Sequence, residues 1–289
     1  MMIREKGYTH WDGILRERRY PWWPITRLGI KLTFKRKHFK FLFFGSLVPA
    51  VAYLAGIYIS ERIEDFRYIL RGSQRFLQIN PAYFKSYFTS DFLLFMMVMI
   101  LVFCGAGLIS DDLKYNSLQL YFSKPLRKKD YFLGKASVIF FFLLMLTLVP
   151  GIVFFVMKLI FSGSFQFLRT YPWLLLSVIG YSALVTIFFS FYTLLISSLS
   201  KNRRYVGILI FAIYIFSDIF FGIFFGIFKN QYFSLLSLKG NLQQVGALFF
   251  GQKPPFQVPW LYSFFILLCV CFLASAILKK KIKGVEVIK

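Results

Sequence analysis

Three cysteines, two histidines and twelve acidic side chains are all that 289 residues supply of the groups most used for metal binding, redox chemistry and acid–base catalysis. Cys104, Cys269 and Cys271 fall inside apolar runs, and positions two apart on a helix point to different faces, so neither a disulfide framework nor a metal site is expected. His10 and His38 lie in a basic amino-terminal segment with no acid and nucleophile pattern around them. A phosphate-binding loop would read G-x-x-x-x-G-K-[ST]. Its nearest approach is Gly134-Lys135-Ala136, with Lys129 where the first glycine should stand and alanine in place of the magnesium-binding hydroxyl. The acids form no paired cluster inside an apolar run, so the chain is expected to be no enzyme and to bind no cofactor or metal directly.

What the sequence has in excess is oil and positive charge. It is 58% hydrophobic with 39 phenylalanines and a mean hydropathy of +0.63, beyond the roughly 45–50% apolar content of soluble domains. A bilayer core about 30 Å thick needs about 20 largely uncharged residues per helix. Six runs meet that need: 41–59, 92–109, 136–161, 173–199, 206–228 and 258–278. They are apolar all round, without the alternation of a membrane strand, so the fold class is all-α, a polytopic membrane protein with six transmembrane helices. The segments are expected to divide as 1–40, an amino-terminal arm; 41–278, the spanning domain; and 279–289, a basic tail.

Sidedness follows from the cations. The arm, residues 111–135, residues 200–204 and the tail together carry 25 of the 35 lysines and arginines. Since lysine and arginine near span ends are retained in the cytoplasm, both termini are expected there, in an inner (plasma) membrane. The net charge of +23 then suits an anionic leaflet. Nucleic acid is not an expected partner, because the charge sits at helix ends and no recognition motif accompanies it. About 40 mostly polar residues precede the first run, which argues against a cleavable signal peptide and makes the first span the insertion signal.

Between the second and third runs lies DDLKYNSLQLYFSKPLRKKDYFLGK, residues 111–135, with nine charged side chains. Asp111 and Asp112 end the second run, and Leu113 to Phe122 follows, with Leu118, Tyr121 and Phe122 at the spacing of one apolar helix face that can lie on a partner. Ser123-Lys124-Pro125 interrupts the chain before Leu126 and the basic stretch to Lys129. A solvated turn fixing topology is the plain alternative. The order of an acid, a short leucine-bearing helix, S-x-P, a basic pair, tyrosine and L-G-K resembles the cytoplasmic loop of type-2 ATP-binding-cassette (ABC) permeases. In that family the acid is usually glutamate and a glycine commonly stands near the place of Asn116. The resemblance implies that Leu113 to Leu126 is a coupling helix docking into an ABC ATPase subunit, which would bind the ATP and magnesium, and that Asp111, Asp112, Leu113, Leu118, Tyr121, Phe122, Pro125 and Leu126 serve that coupling.

Outside this hairpin the resemblance rests on architecture. Trp22, Trp23, Ile25, Arg27, Leu28 and Leu32 open a segment with Ile25, Leu28 and Leu32 on one face and Arg27, Lys31 and Lys35 on another, the pattern of a helix lying in the membrane interface. It is similar to the family's interface helix; a simple surface anchor is the other reading. Residues 241–249 predict a short external or re-entrant helix, because nine residues rise only about 14 Å. Ile63, Phe66, Leu70 and Leu77 suggest a further surface helix. Ala52 with Gly56, and Gly222 with Gly226, are small-x-x-x-small pairs that permit close helix approach, either within one bundle or in a dimer. Asp218 falls mid-span and must be partnered, protonated or wet, as a path-lining or a structural group, whereas Lys158 is expected to snorkel. The resemblance implies the permease subunit of an exporter, working with separate ATPase subunits, a second permease copy or homologue, and membrane lipids. A non-transporting scaffold or anchor, and a membrane-embedded enzyme, are the competing classes.

Overall fold

The structure is a computed structural model that describes residues 20–61, 79–122, 126–163 and 165–281. Helices α1 (Trp23–Phe34), α2 (Lys37–Ser46), α3 (Val48–Glu61), α4 (Pro81–Phe88), α5 (Asp91–Cys104), α6 (Gly107–Lys114) and α7 (Ser117–Phe122) form the first half. The second half holds α8 (Lys128–Leu146), α9 (Leu148–Ser162), α10 (Gln166–Thr170), α11 (Leu174–Leu199), α12 (Arg203–Phe228), α13 (Leu238–Phe249) and α14 (Trp260–Lys281), with a 3-10 turn at Gln231–Leu236 before α13. No strand occurs among the described residues. Among the described residues six helical stretches are long and apolar enough to cross a membrane: Lys37–Glu61, Pro81–Lys114, Lys128–Ser162, Leu174–Leu199, Arg203–Phe228 and Trp260–Lys281. The all-α, six-span expectation holds, five of the spans extending beyond their apolar runs at one or both ends and the fourth matching its run to within a residue. The proposed surface helix through Ile63, Phe66, Leu70 and Leu77 lies outside the described residues.

Three spans are broken, and each break has a local cause. Pro49 and Pro150 lack the N–H that a helix requires, and the first and third spans are interrupted at Leu47 and Thr147, two or three residues before each. In the third span the carbonyl of Leu146, which Pro150 cannot serve, accepts from the buried Tyr87 hydroxyl at 2.8 Å. Through that bond α4 is attached to the bend. The second span is divided twice, at Thr89–Ser90 and at Gly105–Ala106. Its first break is capped by Ser90, whose Oγ accepts from Leu93 N.

The fourth span, α11, is the central one and packs on the third, fifth and sixth. The second span lies between the first and the fifth, so the latter two flank it on one side of the bundle. At one end of the bundle an aromatic cluster of Phe34, Phe39, Phe43 and Phe142 joins α1, the first span and the third, with ring centroids of Phe39 and Phe142 4.8 Å apart. The same end holds the α6–α7 elbow, the start of α12 and the end of α14, whose Lys281 Nζ donates to Ser198 O at 2.8 Å. It is the basic end identified from the cation distribution.

Candidate functional site: the elbow at the basic end

The elbow is built from α6, α7 and the start of α8. Tyr115 ends α6 and Asn116 turns the chain with φ +54°. A left-handed residue just past a helix end is a glycine or asparagine position, which explains why asparagine can stand where the resembled family commonly has glycine.

Asp112 is buried. Its Oδ2 accepts from the Tyr131 hydroxyl at 2.6 Å and pairs with Lys135 Nζ at 2.7 Å. Tyr131 and Lys135 are four apart on α8 and so share a face. The Lys135 ammonium also lies 5.6 Å from the Tyr121 ring centroid and 5.5 Å from that of Tyr131. Asp112 therefore ties the second span to the third. Asp111, beside it, is only partly buried. Burial and the Asp112 charge push the Tyr121 hydroxyl above its ordinary pKa.

The apolar face of the elbow also turns inward. Leu113, Leu118, Tyr121 and Leu126 pack against the core of the bundle, whereas Lys114, Tyr115, Asn116, Gln119 and Leu120 are exposed. The side chain of Phe122 and all of Pro125 lie outside the described residues. The face with helical spacing is thus the one the protein uses for itself.

Above the elbow, the break at Gly105–Ala106 leaves backbone groups without helical partners, and three distant side chains serve them. The Phe103 carbonyl accepts from Arg36 Nη1 at 3.0 Å and from Arg203 Nη2 at 2.8 Å, using both lone pairs of one oxygen. Ser197 Oγ accepts from Ile109 N at 3.0 Å and Ser110 N at 3.1 Å and donates to Ala106 O at 2.9 Å, so α11 supplies the cap of α6. Gly105 lies against Thr193 of α11, where a β-carbon would collide. The elbow is in this way attached to the third, fourth and fifth spans through named hydrogen bonds.

Helix α1 has three faces. Thr26, Gly29, Ile30 and Thr33 face the third span, where Thr26 Oγ1 donates to Gly134 O at 3.0 Å. A β-carbon on Gly134 would fall 2.9 Å from Ile25 Cβ and 3.0 Å from Trp22 O, and one on Gly29 2.6 Å from Val138 Cγ2. The glycine of L-G-K is the crossing point of α1, and its lysine is the partner of Asp112. Ile25 is half-buried at this crossing, while Trp23, Leu28 and Leu32 are exposed, as is Arg27.

At the opposite end Asp218 is paired. Its Oδ1 accepts from Ser237 Oγ at 2.9 Å and its Oδ2 lies 2.9 Å from Lys239 Nζ, which also reaches Asp91 at 3.5 Å. Ser217 Oγ accepts from Leu238 N, which holds the start of α13 against the middle of α12, well short of its end at Phe228. Burial pulls the Lys239 pKa down, but the hydrogen bond and charge of Asp218, joined by Asp91, outweigh it and raise the pKa. Lys158 pairs with Glu61 at the end of the first span and stands over the Phe167 ring.

The small-residue pairs divide. Gly56 packs against the Tyr83 hydroxyl of its own chain, the within-bundle alternative, while Ala52 is exposed. At Gly222 and Gly226 an added β-carbon would meet nothing within 4 Å, and the same holds for Gly45 of the first span. No group of three metal-ligating side chains occurs among the described residues.

Arg36, Ser197, Arg203 and the Asp112 partnership were not read from the sequence. Only the Tyr131/Lys135 spacing carried a usable signal; the arginines and Ser197 meet the elbow from 67 to 100 residues away.

The described residues thus form a six-span helical bundle with a polar elbow fastened to three of its spans. The family model described as ABC-2 family transporter protein matches residues 32–258, and the chain belongs to that family. It is a multi-pass membrane protein of the ABC transporter permease class. No curated protein matches the chain.

Proposed function

We propose that the chain is the permease subunit of an ABC exporter, driven by ATP hydrolysis in a separate ABC ATPase subunit that holds the magnesium. The basic end faces the cytoplasm of an inner (plasma) membrane and carries both termini, in keeping with its 25 cations. The single observation supporting this reading is the elbow, whose outer face is exposed while its root is bonded to three spans. A push on Lys114, Tyr115, Asn116 and Gln119 would reach the third span through Asp112–Lys135 and the fourth through Ser197. The break at Gly105–Ala106 would let the lower part of the second span tilt. Leu113, Leu118 and Tyr121 transmit within the chain.

Helix α1 acts as an interface helix, with Leu28 and Leu32 toward lipid, and α13 as a re-entrant helix anchored by Asp218 near the exit of the pathway. A second copy or a close homologue pairs along the first and fifth spans, whose open positions include Ala52, Gly222 and Gly226. Efflux of a lipid, glycan or hydrophobic compound fits this arrangement.

The experiment is co-purification of the chain with its membrane partners, identification of any subunit carrying a nucleotide site, and measurement of ATP turnover. Tyr115→Asp combined with Gln119→Asp should lower capture and turnover about tenfold without lowering the melting temperature. Full capture and turnover in that variant would reject the docking face, and a partner without a nucleotide site would favour a scaffold.

A further inference from the structure

At the basic end a cleft of about 500 Å³ opens between the start of the third span and the end of the sixth. Ligand pockets commonly span about 300–1,000 Å³. Phe132 and Leu133 of α8 form one wall, Leu278 of α14 the other, and Phe191 of α11 the floor. Phe191 precedes Leu199, the last residue of α11, by two turns of helix, which places the floor about 12 Å inside that end. Phe132 and Phe191 meet with ring centroids 5.6 Å apart. Ser275, the polar residue of the lining away from the rim, donates its hydroxyl to Phe272 O at 2.8 Å, so the interior offers no free side-chain donor.

The rim is the reverse. Lys128, Lys129 and Lys279 stand around the mouth, all exposed. Among the described residues no carboxylate pairs with any of them. The cleft needs no closure to exist, because Lys281 already ties the end of α14 to α11. Leu133 of its lining is exposed, as are Phe272, Leu273 and Ile277 nearby on α14, so the cleft borders apolar surface.

We propose that this cleft binds one anionic glycerophospholipid, its phosphate among Lys128, Lys129 and Lys279 and an acyl chain along Phe132, Phe191 and Leu278. The combination selects an amphiphile. A free phosphate gains nothing from apolar walls, and a peptide would bring backbone donors and acceptors that these walls leave unserved. Basic pockets between spans at the cytoplasmic side are suited to anionic headgroups. Because Lys128 and Lys129 sit on the arm leaving the elbow, the bound lipid would clamp that arm to the sixth span. The proposal does not depend on the ATPase and stands apart from the docking reading.

The test is native mass spectrometry of the purified full chain equilibrated with equal dioleoyl phosphatidylglycerol and dioleoyl phosphatidylcholine. Phosphatidylglycerol should be retained preferentially, and Lys128→Gln/Lys129→Gln/Lys279→Gln should lower its retention by roughly tenfold or more. Ser275→Trp, which fills the cleft and keeps the charges, should lower it as well, with melting temperature as the control for folding. Equal retention of both lipids would overturn the proposal. So would an equal loss from the charge-matched Lys31→Gln/Lys37→Gln/Lys40→Gln, displacement by inorganic phosphate, or protection of the three lysines by a partner protein instead of lipid.

Discussion

Replacing Asp112 with alanine removes one half of a pair whose side chains are each 11% exposed and whose charged atoms are 2.7 Å apart. The loss is not the value of the bond but the cost of the group left behind: an ammonium held among two tyrosine rings without its counter-ion. Breaking such a buried pair costs about 3–5 kcal/mol, whereas replacing both members by apolar groups of similar size is often near neutral. Contact of Lys135 with the Tyr121 and Tyr131 rings offsets about 0.5–2 kcal/mol. Asp112→Ala should therefore destabilise by about 3 kcal/mol, and with a shift of about 2–4 °C per kcal/mol for a chain of this order the melting temperature should fall by about 6–12 °C. Asp112→Ala/Lys135→Met should recover at least half of that fall, and Asp111→Asn should change little. Size-exclusion thermostability in detergent measures all three. Additive losses in the double variant, or an Asp112→Ala protein as stable as the parent, would refute the reasoning.

Ser197→Ala should cost about 1–3 kcal/mol by leaving the Ile109 and Ser110 N–H groups buried without an acceptor, and hydrogen exchange should quicken at those two amides. Gly134→Val should destabilise by about 1–3 kcal/mol by forcing α1 off the third span. By contrast Gly222→Val, in open space, should leave the melting temperature of the single chain unchanged and weaken pairing of copies, as read by cross-linking. Lys239 has a raised pKa, so its contribution is complete below the ordinary 10.5 and disappears as pH climbs through the higher folded value. The stability difference between the parent and Lys239→Met, about 1 kcal/mol, should stay constant up to about pH 10 and shrink only above 10.5. Shrinkage at lower pH would show that the ion pairs with Asp218 and Asp91 do not hold.

The elbow shows how far sequence reading carried the functional site. Its place in the chain and its acids were legible because a charged stretch between two apolar runs stands out against the composition, whereas the turn at Asn116 was not, and the break read at Ser123-Lys124-Pro125 lies outside the described residues. Which of its faces is exposed was not legible either. Helical spacing marked Leu118 and Tyr121 as an apolar stripe, but spacing does not say which surface a stripe meets. Here the nearest apolar surface was the chain's own core, and the stripe closed on it, leaving Tyr115 and Gln119 outside. Gly56 makes a similar point: a small residue permits close approach without naming the neighbour, and within this chain the neighbour is Tyr83.

Hydrophobic length and the placement of cations set the number of spans and the sidedness assigned to them, since both are one-dimensional properties that a bilayer reads residue by residue. The partners of Asp112, of Asp218 and of the Phe103 carbonyl were decided only by packing. Once lipid excludes water, every charge and every broken helical bond must find a partner inside the bundle, and which side chain arrives depends on how the spans are arranged around one another.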